Sequence, residues 1–345
     1  MLIVLFVLFA LIFVSIKSVK GESENVFSME QTQSIKGIFV ITIFLSHFCS
    51  YVSFDKWYDL PIREYCRWLG QLMVVPFLFY SGYGIFESVK KKGLSYVRSF
   101  PKKRILKTLV HFDLAILLFL LYDLFFLPEN LSLLKILLSL VAWDSIGNSN
   151  WFIFAILCAY VFSYIGLLLG KGRLSRSFIV ITILCLVYVV AVSKFKVCYW
   201  YDTILAFPFG CFVSVYKDQL TIGRKMKNVL WGCSCLVLLL LLLLAKKDFI
   251  TSSFLNSQIA LIGFMSLIML LSIKVKIESK ILSWFGTQVF GVYILQRLPM
   301  NFGKYISLNE QNVYLYFTFC FVVTLLLAIC FNKITNRIDS ILFKG

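Results

Sequence analysis

The first chemically suggestive feature of the chain is a histidine inside an apolar segment. Residues 34–52 read SIKGIFVITIFLSHFCSYV, a run fit for a lipid bilayer that nevertheless contains Lys36 and His47. The two residues are about 16 Å apart if the segment is an α-helix. With Lys36 at the membrane surface, His47 lies near the middle of the hydrocarbon layer. An imidazole there can accept a proton near neutral pH, or it can simply hydrogen-bond a neighbouring helix, and the residue alone does not decide between these roles.

The second histidine, His111, is a weaker candidate for a catalytic base than His47. It lies in KTLVHFDLA, near the start of its apolar segment and beside Asp113. We expect a structural or interfacial role for it. The cysteines lie mostly inside apolar segments without the spacing of a zinc or redox site, so we expect small hydrophobic side chains and no metal.

The composition places both histidines in a membrane protein. Of 345 residues, 60% are hydrophobic and 15% are charged, and the mean hydropathy is +0.87. A soluble fold of this length could not bury so much apolar surface, whereas a bilayer accepts it. The net charge of +17 comes largely from short loops between apolar segments. The positive-inside rule explains that pattern without a nucleic-acid partner.

The apolar segments predict an all-α fold, a polytopic membrane bundle of about ten core transmembrane helices plus one extra N-terminal helix. The core segments are 35–52, 69–87, 105–127, 150–170, 177–193, 200–216, 228–245, 254–273, 281–298 and 312–331. The run 131–143 is short and contains Lys135, so we expect it not to cross. We divide the chain into an N-terminal hydrophobic helix and linker, 1–34, and a transmembrane domain, 35–345.

Lysine and arginine positions predict the orientation of the bundle. The stretch 88–107 contains eight basic residues and no acid, which predicts that it is cytoplasmic. Alternation places the basic loops 171–176, 217–227 and 274–280 on the same side. Lys196 is one of the exceptions, since it falls on the opposite side.

Five motifs in order resemble the acyltransferase-3 family of integral membrane acyltransferases. KGIFVITIFLSHF, with Lys36 and His47, is similar to the first helix of that family, and VVPFLFYSGYGIFES resembles its third segment. KKRILK, with Arg104 and Lys107, is similar to its Arg-x-x-Arg pair. NSNWFIFAIL and FGTQVFGVYILQRLPM resemble two later helix signatures. The resemblance covers most of the chain from residue 35.

Three positions depart from the family pattern. Lys36 stands where the family usually has arginine, Lys107 replaces the second arginine of the pair, and Gln296 stands where many members carry histidine. Both lysines keep the charge but lose the planar two-pronged grip of arginine on phosphate.

The resemblance implies a polysaccharide O-acetyltransferase-like enzyme of the plasma membrane. Such an enzyme moves an acyl group, most often acetyl, from cytoplasmic acyl-CoA to a hydroxyl of a cell-envelope or exopolysaccharide saccharide. His47 would then be the general base. Lys36, Arg104 and Lys107 would bind the donor phosphates, and no metal is implied.

Ser81, Tyr83 and Trp151 are weaker candidates for substrate contacts. Small residues that allow close helix packing, and an aromatic anchor at the membrane surface, explain these positions at least as well.

Two other function classes are compatible with so many spans. One is a transporter or flippase for a lipid-linked saccharide or small solute, with His47 as a proton relay, although we see no internal repeat. The other is a polysaccharide polymerase, although the external loops are short. The bilayer and a saccharide acceptor are the expected partners; the acceptor sugar, the acyl group and the oligomeric state do not follow from the sequence.

Overall fold

The computed structural model describes residues 1–18, 26–54, 56–127, 132–218, 227–247 and 253–343. Residues 19–25 of the predicted N-terminal linker and residues 219–226 of one basic loop lie outside these described residues.

The chain is almost entirely helical, which confirms the expected all-α membrane bundle. The helices are α1 (Leu2–Ser15), α2 (Met29–Cys49), α3 (Leu60–Leu69), α4 (Val75–Lys92), α5 (Leu94–Phe100), α6 (Lys107–Phe126), α7 (Leu133–Leu140), α8 (Trp151–Leu169), α9 (Leu174–Val192), α10 (Ala206–Tyr216), α11 (Asn228–Lys246), α12 (Ser253–Lys274), α13 (Lys280–Thr287), α14 (Val289–Leu295), α15 (Arg297–Tyr305), α16 (Leu308–Gln311) and α17 (Val313–Leu342). Short 3-10 helices occupy Trp57–Asp59, Gly70–Val74 and Cys198–Trp200, and a π-helix spans Pro101–Leu106.

Two short strands accompany the helices. β1 (Ile16–Ser18) and β2 (Val275–Ile277) pair antiparallel, with Lys17 opposite Lys276. Lys17 Nζ also lies 2.7 Å from Glu278 Oε2. The ribbon ties the end of α1 to the connection between α12 and α13.

Eight helical stretches of the described chain are long and apolar enough to cross a bilayer. They match eight of the ten predicted core segments. The segment 200–216 instead forms the shorter α10, and 281–298 is divided among α13, α14 and α15. The run 131–143, expected not to cross, forms the short α7.

The two ends of the bundle differ in chemistry. The basic end is the end that contains residues 88–107. There Glu87 accepts hydrogen bonds from Lys90, Lys217 and Ser214, each 2.8 Å long, which join α4 to α10. The other end, which we call the opposite end, contains the C-terminus of α2, α7 and the start of α8.

Lys196, an exception to the predicted charge pattern, has a structural role. Its ammonium lies 4.3 Å from the centre of the Trp143 ring and 4.4 Å from that of Trp200. It also donates a 2.8 Å hydrogen bond to the carbonyl oxygen of Trp143. Cation–π contacts and the hydrogen bond therefore hold this charge at the opposite end.

Two glycines let the helix that carries His47 approach α13 closely. A Cβ on Gly37 would collide with the carbonyl oxygen of Leu282, and a Cβ on Gly286 would collide with that of Gln33. Each helix therefore presents a glycine to the backbone of the other. Small residues at such contacts allow the backbone approach on which membrane helix packing depends.

The segment predicted as one crossing, 281–298, is broken at Gln288 and Gln296. Pro299 accounts for the second break, since it cannot donate to the carbonyl of Leu295 and its ring crowds that carbonyl. The break makes Arg297 the first residue of α15.

We predict that Gly37→Ala will destabilise the protein. The added methyl group must displace backbone, and such overpacking costs about 1–3 kcal/mol. The thermal midpoint of the detergent-purified protein should fall. Gly232→Ala is the matched control, because a Cβ on that helical glycine meets nothing within 4 Å. Equal midpoints for both variants would contradict the close α2–α13 contact.

Candidate functional site

His47 contacts an arginine from the broken segment. It lies in the last turn of α2, half-buried, and its Nδ1 is 3.0 Å from Nη2 of Arg297. A guanidinium has only donors, so Nδ1 must accept this hydrogen bond. The imidazole is therefore neutral, with its hydrogen on Nε2. Arg297 Nε also donates to Ser149 Oγ at 3.0 Å, so the guanidinium joins α2 to the loop before α8.

A second contact lies about one turn further along both elements. The Tyr51 hydroxyl donates a 2.7 Å hydrogen bond to Oδ1 of Asn301. Tyr51 also interacts with Arg297. The end of α2 and the residues after it therefore contact α15 twice, through His47 to Arg297 and through Tyr51 to Asn301. These two contacts fix α15 against the end of α2.

The loop that presents Ser149 is held by its own hydrogen bonds. Ser145 Oγ donates to the carbonyl oxygen of Asn148 at 2.7 Å, and Oδ1 of Asn148 accepts from the Ile146 amide at 3.1 Å. Asn150 Nδ2 donates to the carbonyl oxygen of Ala142 at 3.1 Å. Asn148 and Ser149 are each only 3% exposed. The loop is therefore a fixed support for Arg297.

A large cavity, the basic cavity, lies at the basic end. It has a volume of about 1140 Å³, and the residues that carry its chemistry are Arg98, Lys103, Arg104, Lys107, His111 and Asp339. Arg104 Nε donates to the Tyr96 hydroxyl at 3.2 Å, and Arg104 also interacts with Tyr160. Arg104 follows Pro101 in the π-helix, a distortion that often marks functional sites.

Asp339, from α17, is the one acid among the described residues that line the basic cavity. Its Oδ2 is 2.6 Å from Lys107 Nζ, and its Oδ1 is 2.9 Å from His111 Nε2. Lys107 is therefore already ion-paired, whereas Arg104 is held by uncharged tyrosines.

A small apolar cavity lies between the basic cavity and His47. It has a volume of about 270 Å³ and is lined by Val40, Ile43, Phe77, Phe152, Phe290 and Tyr293, among others. Phe290 lines the basic cavity as well. The Tyr293 ring lies 6.4 Å from the His47 ring, centre to centre. The apolar cavity therefore adjoins the basic cavity on one side and the His47 site on the other.

A third cavity, the opposite-end cavity, has a volume of about 500 Å³. Its polar and aromatic lining consists of Tyr122, Asp123, Lys135, Asn301, Lys304 and Tyr305. Asn301 is the partner of Tyr51. Four residues in order along α14 and α15 therefore mark the site. Phe290 lines the basic cavity, and Tyr293 lines the apolar cavity. Arg297 contacts His47, and Asn301 lines the opposite-end cavity.

Lys36, predicted to bind phosphate, lies near the basic cavity. It is half-buried, with its ammonium 5.6 Å from the centre of the Tyr80 ring. Its charge acts on Arg104. The structure thus places Lys36, Arg104 and Lys107 at the basic end and His47 in the last turn of α2, toward the opposite end and beyond the mid-membrane position predicted from the sequence.

The weaker candidates have packing contacts. Among the described residues that line the three cavities, neither Ser81 nor Tyr83 nor Trp151 occurs. Tyr83 stacks on Phe27 with ring centres 4.3 Å apart, and Trp151 meets Tyr199 edge to face at 6.0 Å. Gly82, beside Ser81, lets α4 touch the backbone of α10.

Three residues of the site were not anticipated from the sequence: Arg297, Ser149 and Asp339. Arg297 did carry a signal, because it is a charge within an otherwise apolar stretch, as His47 is. Ser149 lies in a cluster of turn-forming residues, DSIGNSN, which predicts a loop but no partner. Asp339 carries no such signal.

Comparison with known families finds one family model that matches most of the chain. The acyltransferase-3 model, described as an acyltransferase domain, matches residues 33–333. The chain belongs to this family. The match confirms the resemblance seen in the motifs and makes the protein a membrane acyltransferase, rather than a transporter, flippase or polymerase. No curated protein and no solved structure matched the chain.

We predict that the basic and opposite-end cavities of this acyltransferase open on different membrane faces. Ser95 and Lys304 are exposed lining residues of the two cavities. In a background with the exposed Cys198, Cys233 and Cys330 changed to serine, an impermeant thiol reagent should label Ser95→Cys from one face of sealed vesicles. It should label Lys304→Cys only from the other face. Labelling of both from the same face would contradict the arrangement.

Proposed function

We propose that the chain transfers an acyl group, most often acetyl, from cytoplasmic acyl-CoA to a hydroxyl of an envelope or exopolysaccharide saccharide. The plasma membrane is the proposed location, with the basic end in the cytoplasm. The observation that carries the proposal is the order of contacts along α14 and α15. Phe290 lines the basic cavity and the apolar cavity, Tyr293 lines the apolar cavity beside His47, Arg297 contacts His47, and Asn301 lines the opposite-end cavity. A donor can enter from one end and an acceptor from the other.

The basic cavity suits the nucleotide part of acyl-CoA. Coenzyme A carries several phosphate charges, and five cationic side chains line the cavity against the single acid. Its volume of about 1140 Å³ slightly exceeds the usual range of small-molecule sites, about 300–1,000 Å³. Arg104 is the first candidate for phosphate, because its planar fork suits bidentate binding. Lys107 is the second candidate for phosphate, since its ammonium is already paired with Asp339 and a phosphate would have to share it.

The apolar cavity suits the pantetheine arm. That arm is long and narrow and carries few polar groups, and the cavity is lined mainly by aliphatic and aromatic side chains. Val40 and Ile43 precede His47 on the same helix, and Tyr293 adjoins its ring. A thioester at the end of the arm would therefore reach the His47–Arg297 pair.

His47 and Arg297 together supply the chemistry of acyl transfer. The Nδ1 lone pair of His47 points to Arg297, so His47 becomes a base when Arg297 turns its donor to the thioester carbonyl. Negative charge develops on that oxygen as the hydroxyl attacks. Nδ1 then takes the hydroxyl proton, the carbon–oxygen bond forms, the carbon–sulfur bond breaks, and the imidazolium protonates the leaving thiolate.

We predict that His47→Ala abolishes transfer. Loss of general acid–base catalysis costs about 10²–10⁴-fold in rate. The assay is transfer of label from acetyl-CoA to envelope glycan by membranes that contain equal amounts of each protein. Donor binding at the basic cavity should be unchanged, which separates lost chemistry from misfolding. Transfer that survives in the variant would remove His47 from the mechanism.

We predict that Arg104→Ala weakens use of the donor. A lost hydrogen bond to a charged group costs about 1.5–3 kcal/mol, which corresponds to a roughly tenfold to hundredfold higher KM for acyl-CoA. Lys91→Ala is the matched control, because Lys91 is exposed at the same end and lies outside the described lining of the cavity. An equal rise of the KM for acyl-CoA in both variants would mean that the basic end attracts the donor only through its overall positive charge.

A further inference from the structure

We propose that the opposite-end cavity is the acceptor site and that it selects an anionic saccharide, a sugar carrying a carboxylate or phosphate group. This inference rests on the proposed function, and it adds the place of the acceptor and its charge. The side chains that carry the argument are Tyr122, Asp123, Lys135, Asn301, Lys304 and Tyr305.

The uncharged part of this cavity suits a sugar ring. Phe126 packs between Tyr122 and Tyr305, with ring centres 5.1 Å and 5.2 Å apart, so the tyrosines are held as an aromatic wall. A pyranose has C–H groups on its faces, which pack on aromatic rings, and hydroxyls around its edge, which need polar partners. Asp123, only 7% exposed, and the Asn301 amide provide such partners.

The charges in the cavity favour an anion. Lys135 and Lys304 face one carboxylate, Asp123, and neither ammonium forms a hydrogen bond or ion pair with another residue in the part of the chain that the structure describes. At the basic end, Lys90, Lys107 and Lys217 each lie 2.6–2.8 Å from a carboxylate oxygen. Lys92 and Lys103 line the basic cavity without an ion pair among the described residues, as Lys135 and Lys304 do at the opposite end.

Both lysines also lie at the end where the positive-inside pattern disfavours them. Lys196, at the same end, is held between two tryptophans. Lys135 and Lys304 have no comparable contact among the described residues. An anionic ligand explains why two unpaired ammonium groups line one cavity.

The cavity also lies close to the reacting groups. Asn301 lines it, and the Tyr51 hydroxyl donates a hydrogen bond to the Oδ1 of that residue about one turn beyond His47. Gly147, with φ +91, leaves space beside the Asn301 amide, because a Cβ there would lie 3.0 Å from Asn301 Nδ2. A saccharide anchored by its charge at the lysines can thus direct a hydroxyl toward His47.

Binding of a matched pair of probes tests the proposal. The probes are fluorescent trigalacturonate and its methyl ester, which differ only in the charge of the carboxyl groups, and a phosphorylated trisaccharide distinguishes phosphate from carboxylate. The full chain is held in lipid nanodiscs without donor. We expect an anionic probe to bind about tenfold more tightly than the ester, as one charge-assisted hydrogen bond predicts.

Variants assign the selectivity to the cavity. Lys135→Gln and Lys304→Gln should each reduce the preference for the anion about threefold and leave binding of the ester unchanged, and the double variant should lose the preference of about tenfold. Tyr305→Ala should weaken all probes alike. Lys171→Gln, an exposed lysine of the basic end, should change nothing.

Equal binding of acid and ester, no binding of any anionic probe, or an unchanged preference in both lysine variants would overturn the proposal. Because no donor is present, this result is independent of acyl transfer. Loss of transfer with retained anion binding would instead count against the proposed function.

Discussion

A charged or polar side chain inside a bilayer must find a partner, and the hydrogen bond between His47 and Arg297 meets that requirement for two such groups at once. It joins α2 to α15, and through Ser149 it also holds the loop before α8. Without it, an arginine and an imidazole would each be left unpaired in a low-dielectric interior, which is costly. The same contact sets the tautomer of the imidazole and brings a guanidinium, with its hydrogen-bond donors, next to it.

The contact is made by the first residue of α15, directly after the break at Gln296. Pro299, which cannot donate to the carbonyl of Leu295, accounts for the hydrogen bond missing at this break. The glycine contacts between α2 and α13 hold the other half of the segment against the helix of His47. The stretch from Phe290 to Asn301 therefore contacts the basic cavity, the apolar cavity and the opposite-end cavity in that order.

The two ends of the path differ in how their charges are satisfied. At the basic end, Lys107 and His111 share Asp339, so a phosphate donor must compete with an internal acid. Arg104 instead rests on the Tyr96 hydroxyl and keeps its charge available. At the opposite end, Lys135 and Lys304 share their cavity with one acid, Asp123, and neither forms an ion pair with it among the described residues. This difference fits the proposal that several cations bind the donor, whereas two lysines select the acceptor.

The sequence by itself determined the membrane class, most of the spans and the family, because hydropathy and charge are local properties and each motif lies within one segment. It also identified His47 as a candidate, since a polar group in an apolar run is visible without a fold, and the family motifs added Lys36, Arg104 and Lys107. Only the tertiary structure decided the partners. Arg297 and Asp339 lie far from His47 and Lys107 along the chain. The packing of α15 on the end of α2 and of α17 on the start of α6, which no periodicity predicts, brings each pair together.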